Sequence, residues 1–241
     1  MTAKRVKPSP RVEVRRTARG LELRVDGTLA SSHPTEGIGT GPVWDALALP
    51  ILALPPERRR SALLLGLGGG SVARVLRALA PSCRIVGVEI DRDVVAAARA
   101  HLGLDALRVE VVIADALTAL RAERSRFDLI VEDVFVGAVR DVRKPDGFPE
   151  PLFTLARRRL APGGLLVSNT IHEGPAVATA LRSHAEDLLA LHVRGFWNRI
   201  LVAGPGLEPR ALRRAASREP ILARSLRALS FRRSTLGGPR P

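Results

Sequence analysis

Three carboxylates, Glu89, Asp115 and Asp133, each close an apolar run, and a fourth run opens into the glycine cluster of "SALLLGLGGGSVARVLRAL". Carboxylates so placed can accept hydrogen bonds from hydroxyls and amines, or take up a proton. Gly66, Gly68, Gly69 and Gly70 let the backbone turn sharply and let a ligand lie against it without Cβ interference. A tight strand-to-helix turn would use the same glycines, so the cluster alone does not decide. Glu89 lies 21 residues after Gly68, where a carboxylate can accept from both hydroxyls of a ribose. An acid there could also cap a helix, but Asp91 already supplies that cap. Ser71 stands where a dinucleotide fingerprint has Gly or Ala, and the motif has no Lys, which excludes a P-loop. Asp115, followed by Ala116 in "VVIADAL", can accept from the exocyclic amine of an adenine or cap the next short helix; the two roles are compatible. Glycine turn, ribose acid and adenine acid on successive strands point to S-adenosylmethionine or its decarboxylated form as co-substrate.

These residues need elements to position them. "RVEVRRTARGLELRVDG" alternates around Ala18-Arg19-Gly20 and predicts a hairpin; "TLASSHPTEGIGTGP" reads as a long polar loop. An αβ rhythm follows: strands "SALLLGLGGG", "CRIVGVEI", "LRVEVVIAD", "FDLIVEDVF" and "PGGLLVSNT" alternate with helices. Asp91 is the expected N-cap of "DRDVVAAARAHLG", with Gly103 past its end. "PAVATALRSHAEDLLA" is a predicted helix, and "LHVRG" and "NRILVAG" a predicted antiparallel pair. This pattern predicts an α/β fold, a Rossmann-like, doubly wound, mostly parallel seven-stranded sheet with a short N-terminal β-hairpin. Ligands of such sheets bind at the carboxyl ends of the strands near the switch point. The expected division is a basic N-terminal β segment over 1–55, a nucleoside-binding transferase domain over 56–207 and an arginine-rich helix and tail over 208–241.

Composition narrows the class. The chain has 241 residues and a formal charge of +14, yet most of the excess sits at the two ends: eight Lys/Arg against two Glu in residues 1–24, and nine Arg against two Glu in residues 208–241. Lysine occurs only at 4, 7 and 144 among 38 basic residues, which reads as a general arginine bias rather than a designed patch. With no tyrosine and 3% aromatics, stacking on single-stranded nucleic acid lacks its platform, so nucleic acid is expected only as nonspecific adhesion to the basic ends. No apolar run reaches the roughly 18 residues of a membrane span, and the N-terminus lacks the apolar region of a secretory signal. A single cysteine, Cys83, fits a cytoplasmic location, and the five scattered histidines lack metal-ligand spacing, so no metal is expected.

"LLLGLGGGSVARVL", "IVGVEIDRDVVAAAR", "VVIADAL", "FDLIVEDVF" and "LAPGGLLVSNT" resemble the spermidine synthase (polyamine aminopropyltransferase) family, in its spermidine-synthase-like bacterial branch, over residues 20–205. The resemblance implies the class I methyltransferase fold for that sheet and a transferase that moves an aminopropyl group from a decarboxylated S-adenosylmethionine-type donor to a small amine acceptor, and it allows a homodimer. In that family the fourth strand ends in Asp-Ser-Ser-Asp-Pro, whose first Asp deprotonates and orients the amine and whose second grips the cationic substrate. Here Asp133 keeps the first position and Val136 replaces the second; Asp133 could otherwise cap its loop. Gly69 stands where the family has an Asp for the donor's amino group, and the tyrosines of the polyamine tunnel are absent. Glu132, Asp141 and Asp146 are the acids that could compensate. His172, in "SNTIHEG", is a second candidate catalytic group or a solvated bystander, and residues 136–149 resemble the family's covering lid. The missing acids keep open a methyltransferase of unknown acceptor, or a non-catalytic nucleoside-binding protein.

Overall fold

The computed structural model describes residues 11–234 apart from 140, 184 and 186. Residues 1–10 and 235–241, which hold part of the basic ends, lie outside the described residues. The alternating N-terminal segment forms β1 (Val12–Thr17) and β2 (Gly20–Val25), paired antiparallel as the sequence predicts. A third strand, β3 (Thr28–Pro34), pairs with β2 and takes the first half of the expected loop. Its cause is legible in "VDGT": Asp26 and Gly27 both have positive φ, 48° and 77°, as a two-residue type I′ hairpin turn requires. The polar composition of "TLASSHP" hid the strand. Helix α1 (Pro42–Ala48) then leads into the alternating body.

That body runs β4 (Ser61–Leu65), α2 (Ser71–Leu79), β5 (Arg84–Glu89), α3 (Arg92–His101), β6 (Val109–Ile113), α4 (Ala116–Ala122), β7 (Phe127–Glu132), α5 (Glu150–Arg158), β8 (Leu160–Thr170) and α6 (Gly174–Arg182). It closes with β9 (Asp187–Val193), β10 (Arg199–Gly204), α7 (Pro209–Ser217), α8 (Ala223–Leu226) and β11 (Leu229–Arg233). The sheet order is β11-β9-β10-β8-β7-β4-β5-β6. β6, β5, β4, β7 and β8 pair in parallel; β10, β9 and β11 add on antiparallel. The sheet therefore has eight strands rather than seven, because the arginine-rich end supplies β11, whose Arg233 pairs with Asp187 at 2.9 Å and Glu208 at 3.0 Å. The expected helix through Ala190 stops at Arg182, and Asp187–Val193 is a strand instead. An apolar run such as "DLLAL" has no period that separates helix from strand, and burial between β10 and β11 decides for strand.

Every residue of β7 is buried, as a central parallel strand requires. Residues of α1, α2, α3 and α7 join one apolar core against one face of the sheet, and those of α4, α5 and α6 join a second core against the other. The chain leaves β4 toward β5 and β6, then returns to β7 on β4's other side. That reversal puts a crevice above the ends of β4 and β7.

Candidate active site

The glycine turn follows β4. Gly66 has φ +87°, and a Cβ there would lie 2.5 Å from the Asp133 carbonyl oxygen, so only glycine lets the β7 exit cross this close. Asp133 N–H also donates to Leu65 O at 2.8 Å. The turn ends in Gly70, the N-cap of α2, with φ +88°. Strand β3 clamps it from outside. Buried Ser31 accepts from Gly69 N–H at 2.6 Å, and Ser71 Oγ accepts from Ser32 N–H at 2.8 Å while donating to Ser32 O at 3.0 Å. Ser71, the residue that breaks the dinucleotide pattern, thus fastens the N-terminal sheet to the glycine turn. At Gly69 a Cβ would meet Leu102 Cδ2 at 2.7 Å and Ser31 Cβ at 2.8 Å, so a side chain here would force Leu102 and Ser31 to shift.

Glu89, the last residue of β5, accepts from Gly68 N–H at 2.8 Å through Oε2 and from Asp91 N–H at 3.1 Å through Oε1. Each carboxylate oxygen has a second lone pair, which leaves capacity for two hydroxyls. Burial raises its pKa, opposed by those backbone donors. The next residue, Ile90, is 67% exposed beside it, an apolar surface a flat ring could cover. Asp115 is exposed and N-caps α4, its Oδ1 accepting from Thr118 N–H at 3.0 Å and Thr118 Oγ at 3.3 Å, which leaves Oδ2 for an outside donor. Ala116, buried, begins that helix. Asp91 caps α3 as expected.

Asp133 is half-buried directly after β7, and its Oδ1 accepts from Asn169 Nδ2 at 2.7 Å. Asn169 Oδ1 in turn accepts from Asn198 Nδ2 at 2.9 Å, so a chain of two amides orients the carboxylate. Burial pushes the Asp133 pKa up to about 7; the Asn169 bond and Lys144 oppose it, and Glu132 and Glu89 add to it. A carboxyl titrating there can take a proton at neutral pH. His172 is exposed after β8. Its backbone N–H donates to Glu173 Oε2 at 3.1 Å, and no hydrogen bond joins its ring to Asp133. The structure therefore gathers Gly66–Gly70, Glu89, Asp115 and Asp133 on one sheet edge, with His172 on the loop after β8 at the same edge and not hydrogen-bonded to the carboxylate. Asn198 and Lys144 had escaped the sequence reading. Among the described residues no group of three or more His, Cys, Asp or Glu could hold a metal, and no helix is long and apolar enough to cross a membrane.

Comparison with known proteins agrees with this geometry. A methyltransferase domain family matches residues 62–164. A probable polyamine aminopropyl transferase of Bifidobacterium longum (strain NCC 2705) is 35% identical over 132 residues, which make up 54% of this chain and 28% of that protein. Over about half of its length the chain is similar to polyamine aminopropyltransferases. It spans less than a third of that relative's length. Among solved structures, a probable spermidine synthase from Corynebacterium glutamicum ATCC 13032 superposes with a TM-score of 0.69 at 20% identity, over 92% of this chain and 87% of that one, a likeness of fold. Human methyltransferase-like protein 13, solved in complex with SAH, gives 0.61 at 25% identity, over 77% and 90%.

Beside the aminopropyltransferase motif, the structure answers which acid could replace the lost second carboxylate. Val136, at that position, is 40% exposed and bridged to Arg143. Asp141 and Asp146 are 79% and 95% exposed at the side chain and both pair with Arg143. Glu132 is fully buried and already committed: Oε1 takes Lys144 Nζ at 2.6 Å and Val134 N–H at 2.8 Å, and Oε2 takes Ser168 Oγ at 2.6 Å. Of the three, Glu132 is buried and committed, whereas Asp141 and Asp146 share Arg143 at the surface. A buried lysine stands beside the cleft, its ammonium 3.9 Å from the centre of the Phe135 ring and 5.0 Å from that of Phe148.

Proposed function

We propose that the chain transfers an aminopropyl group from a decarboxylated S-adenosylmethionine-type donor to a small amine. The observation that carries this is Asp133: a carboxyl pushed to about 7, set against the glycine turn at the switch point and aimed by Asn169. In this reading the glycine turn and Glu89 hold the ribose, Ile90 and Asp115 with Ala116 hold the adenine, and the sulfonium lies above the ends of β4 and β7. Asp133 takes a proton from the acceptor's ammonium and frees its lone pair. The nitrogen attacks the carbon next to sulfur, the S–C bond breaks with its electrons going to sulfur, and methylthioadenosine leaves. Holding the two reactants in line supplies about 7–11 kcal/mol of the barrier, and the base a further 10²–10⁴-fold or so. The donor class and the lone buried thiol fit a cytoplasmic enzyme.

A methyl group is the second candidate for transfer, and one observation favours it: Ser31 and Leu102 crowd the space where the family's carboxylate would meet the donor's free amine. Calorimetry with S-adenosylmethionine, its decarboxylated form and methylthioadenosine separates the two, and mass spectrometry of amine products then reads the transferred group. Binding of the decarboxylated donor with an aminopropyl product supports the first reading, a methylated product supports the second, and no binding of any of the three removes both.

Glu89→Ala is expected to weaken donor binding by about 1.5–3 kcal/mol, the value of hydrogen bonds to a charged group. The variant frees two backbone N–H groups as well, so its melting temperature should be read alongside. Unchanged affinity in the folded variant would take Glu89 out of the nucleoside site.

A further inference from the structure

The turn between β9 and β10 carries Phe196, 52% exposed, and Trp197, 84% exposed, in a chain with only two tryptophans. They rim a cavity of about 420 Å3. Its wall includes Arg194, Arg199, Arg227 and His192, and no acidic residue. Among the described residues these three guanidinium groups make no ion pair, although Arg84 and Arg233 elsewhere on the surface do. Register sets the wall: Arg199 of β10 lies opposite His192 of β9, which lies opposite Ser230 of β11, so the three share one row. Burial lowers the His192 pKa, and Arg199 and Arg232 lower it further, the mark of a positive field.

The cavity is on the catalytic edge. β9 runs parallel to β8, so its end at Val193 and the start of β10 lie level with the ends of β7 and β8. Asn198 belongs to both places. It lines the cavity and donates to Asn169, which donates to Asp133. Arg194 donates to Arg227 O at 3.0 Å, but with no carboxylate facing these arginines a bare polyamine entering here would bring ammonium groups toward like charge, with Val136 standing where the family has its second carboxylate.

We propose that this cavity binds an anionic group, a carboxylate or a phosphate, at the far end of the acceptor, which is therefore an amine carrying an acid rather than a bare polyamine. The proposal rests on the transferase reading above. Arginine forks match both anions, and the exposed Trp197 face covers the apolar link between the two ends. The cavity spans β10, β9 and β11, two to four strand spacings from β7, so amine and acid stand roughly 10–20 Å apart.

Trp197 supplies the readout. In a Trp44→Phe background its fluorescence is titrated with inorganic phosphate, glutarate and putrescine at matched ionic strength. Saturable change with phosphate or glutarate and none with putrescine is expected, and the tighter anion names the acid group. Arg199→Ser and, separately, Arg227→Ser should each weaken that response about 10- to 100-fold. Calorimetry with the donor is run on the same samples. Donor binding without a saturable anion response, or an anion response untouched in both arginine variants, overturns the cavity assignment alone. Absence of donor binding instead removes the transferase reading, and the anion titration then stands by itself.

Discussion

Asp133→Asn should lower turnover by about 10²–10⁴-fold while donor affinity stays nearly unchanged, because in the proposed reaction the carboxylate acts on the acceptor's proton and not on the adenosine. The substitution keeps the size of the side chain and an oxygen toward Asn169, so the loss would be chemical rather than structural. The pH dependence sharpens the test. With its pKa pushed to about 7 by burial, Asp133 is mostly protonated at pH 6 and mostly ionised at pH 8. Wild-type kcat/KM is therefore expected to rise with pH through about 7, since it reports the free enzyme. The limb in kcat should lie lower, because a bound sulfonium cation favours the carboxylate. The same shift has a stability consequence of opposite sign. A carboxyl whose folded pKa is raised from 3.8 stabilises the fold fully below that value, and the contribution is lost as pH climbs through about 7. The asparagine carries no such charge, so its stability should gain on wild type between pH 5 and pH 8, by an upper bound of about 3 kcal/mol before solvent screening. A variant that turns over at the wild-type rate, with the pH limb still present, would mean that another group takes the proton.

The parallel body of the fold was legible because its signals are local: β4, β5, β6 and β7 are apolar runs that end in glycine or acid, and Asp91 caps α3 where the pattern requires it. The misreadings occur where polar residues or apolar runs carry no period. In "TLASSHP" the Ser31 hydroxyl faces the glycine turn, so a polar residue fills an inward position, and only the Asp26-Gly27 pair announced the strand. β11 was hidden by its arginines, of which Arg233 reaches both Asp187 and Glu208. The site shows the same contrast. Glu89, Asp115 and Asp133 stand at strand ends and could be read off, whereas Asn198 acts on Asp133 only through Asn169, a contact that needs β10 folded beside β8. Lys144 did leave a signal. In a chain that uses arginine nearly everywhere, lysine outside the first seven residues occurs once. A compact ammonium fits between one carboxylate and two rings where a planar guanidinium fork does not.

That position carries the largest expected stability effect. Lys144 and Glu132 are 5% and 0% exposed, and the ammonium divides its donors between Glu132 Oε1 at 2.6 Å and Val134 O at 3.1 Å. Both partners lie at the roots of the segment that follows Asp133, so the pair holds that segment to the ends of β7 and β8. Lys144→Met keeps the aliphatic length but leaves Glu132 as a buried charge with only Ser168 and Val134 as donors. Removing one member of such a pair costs about 3–5 kcal/mol. In a chain of this size each kcal/mol moves Tm by roughly 2–4 °C, so a fall on the order of 10 °C is expected. Adding Glu132→Gln removes the stranded charge and keeps an acceptor for Ser168, so the double variant should recover most of the loss. The recovery measures the coupling of the pair rather than the size of either side chain. Activity supplies an independent readout. Lys144 holds the Asp133 pKa down, so its loss should move the acid limb of kcat/KM above about 7 in the folded variant. A single variant with unchanged Tm and an unmoved limb would show that the ammonium neither ties the segment down nor acts on the catalytic carboxyl.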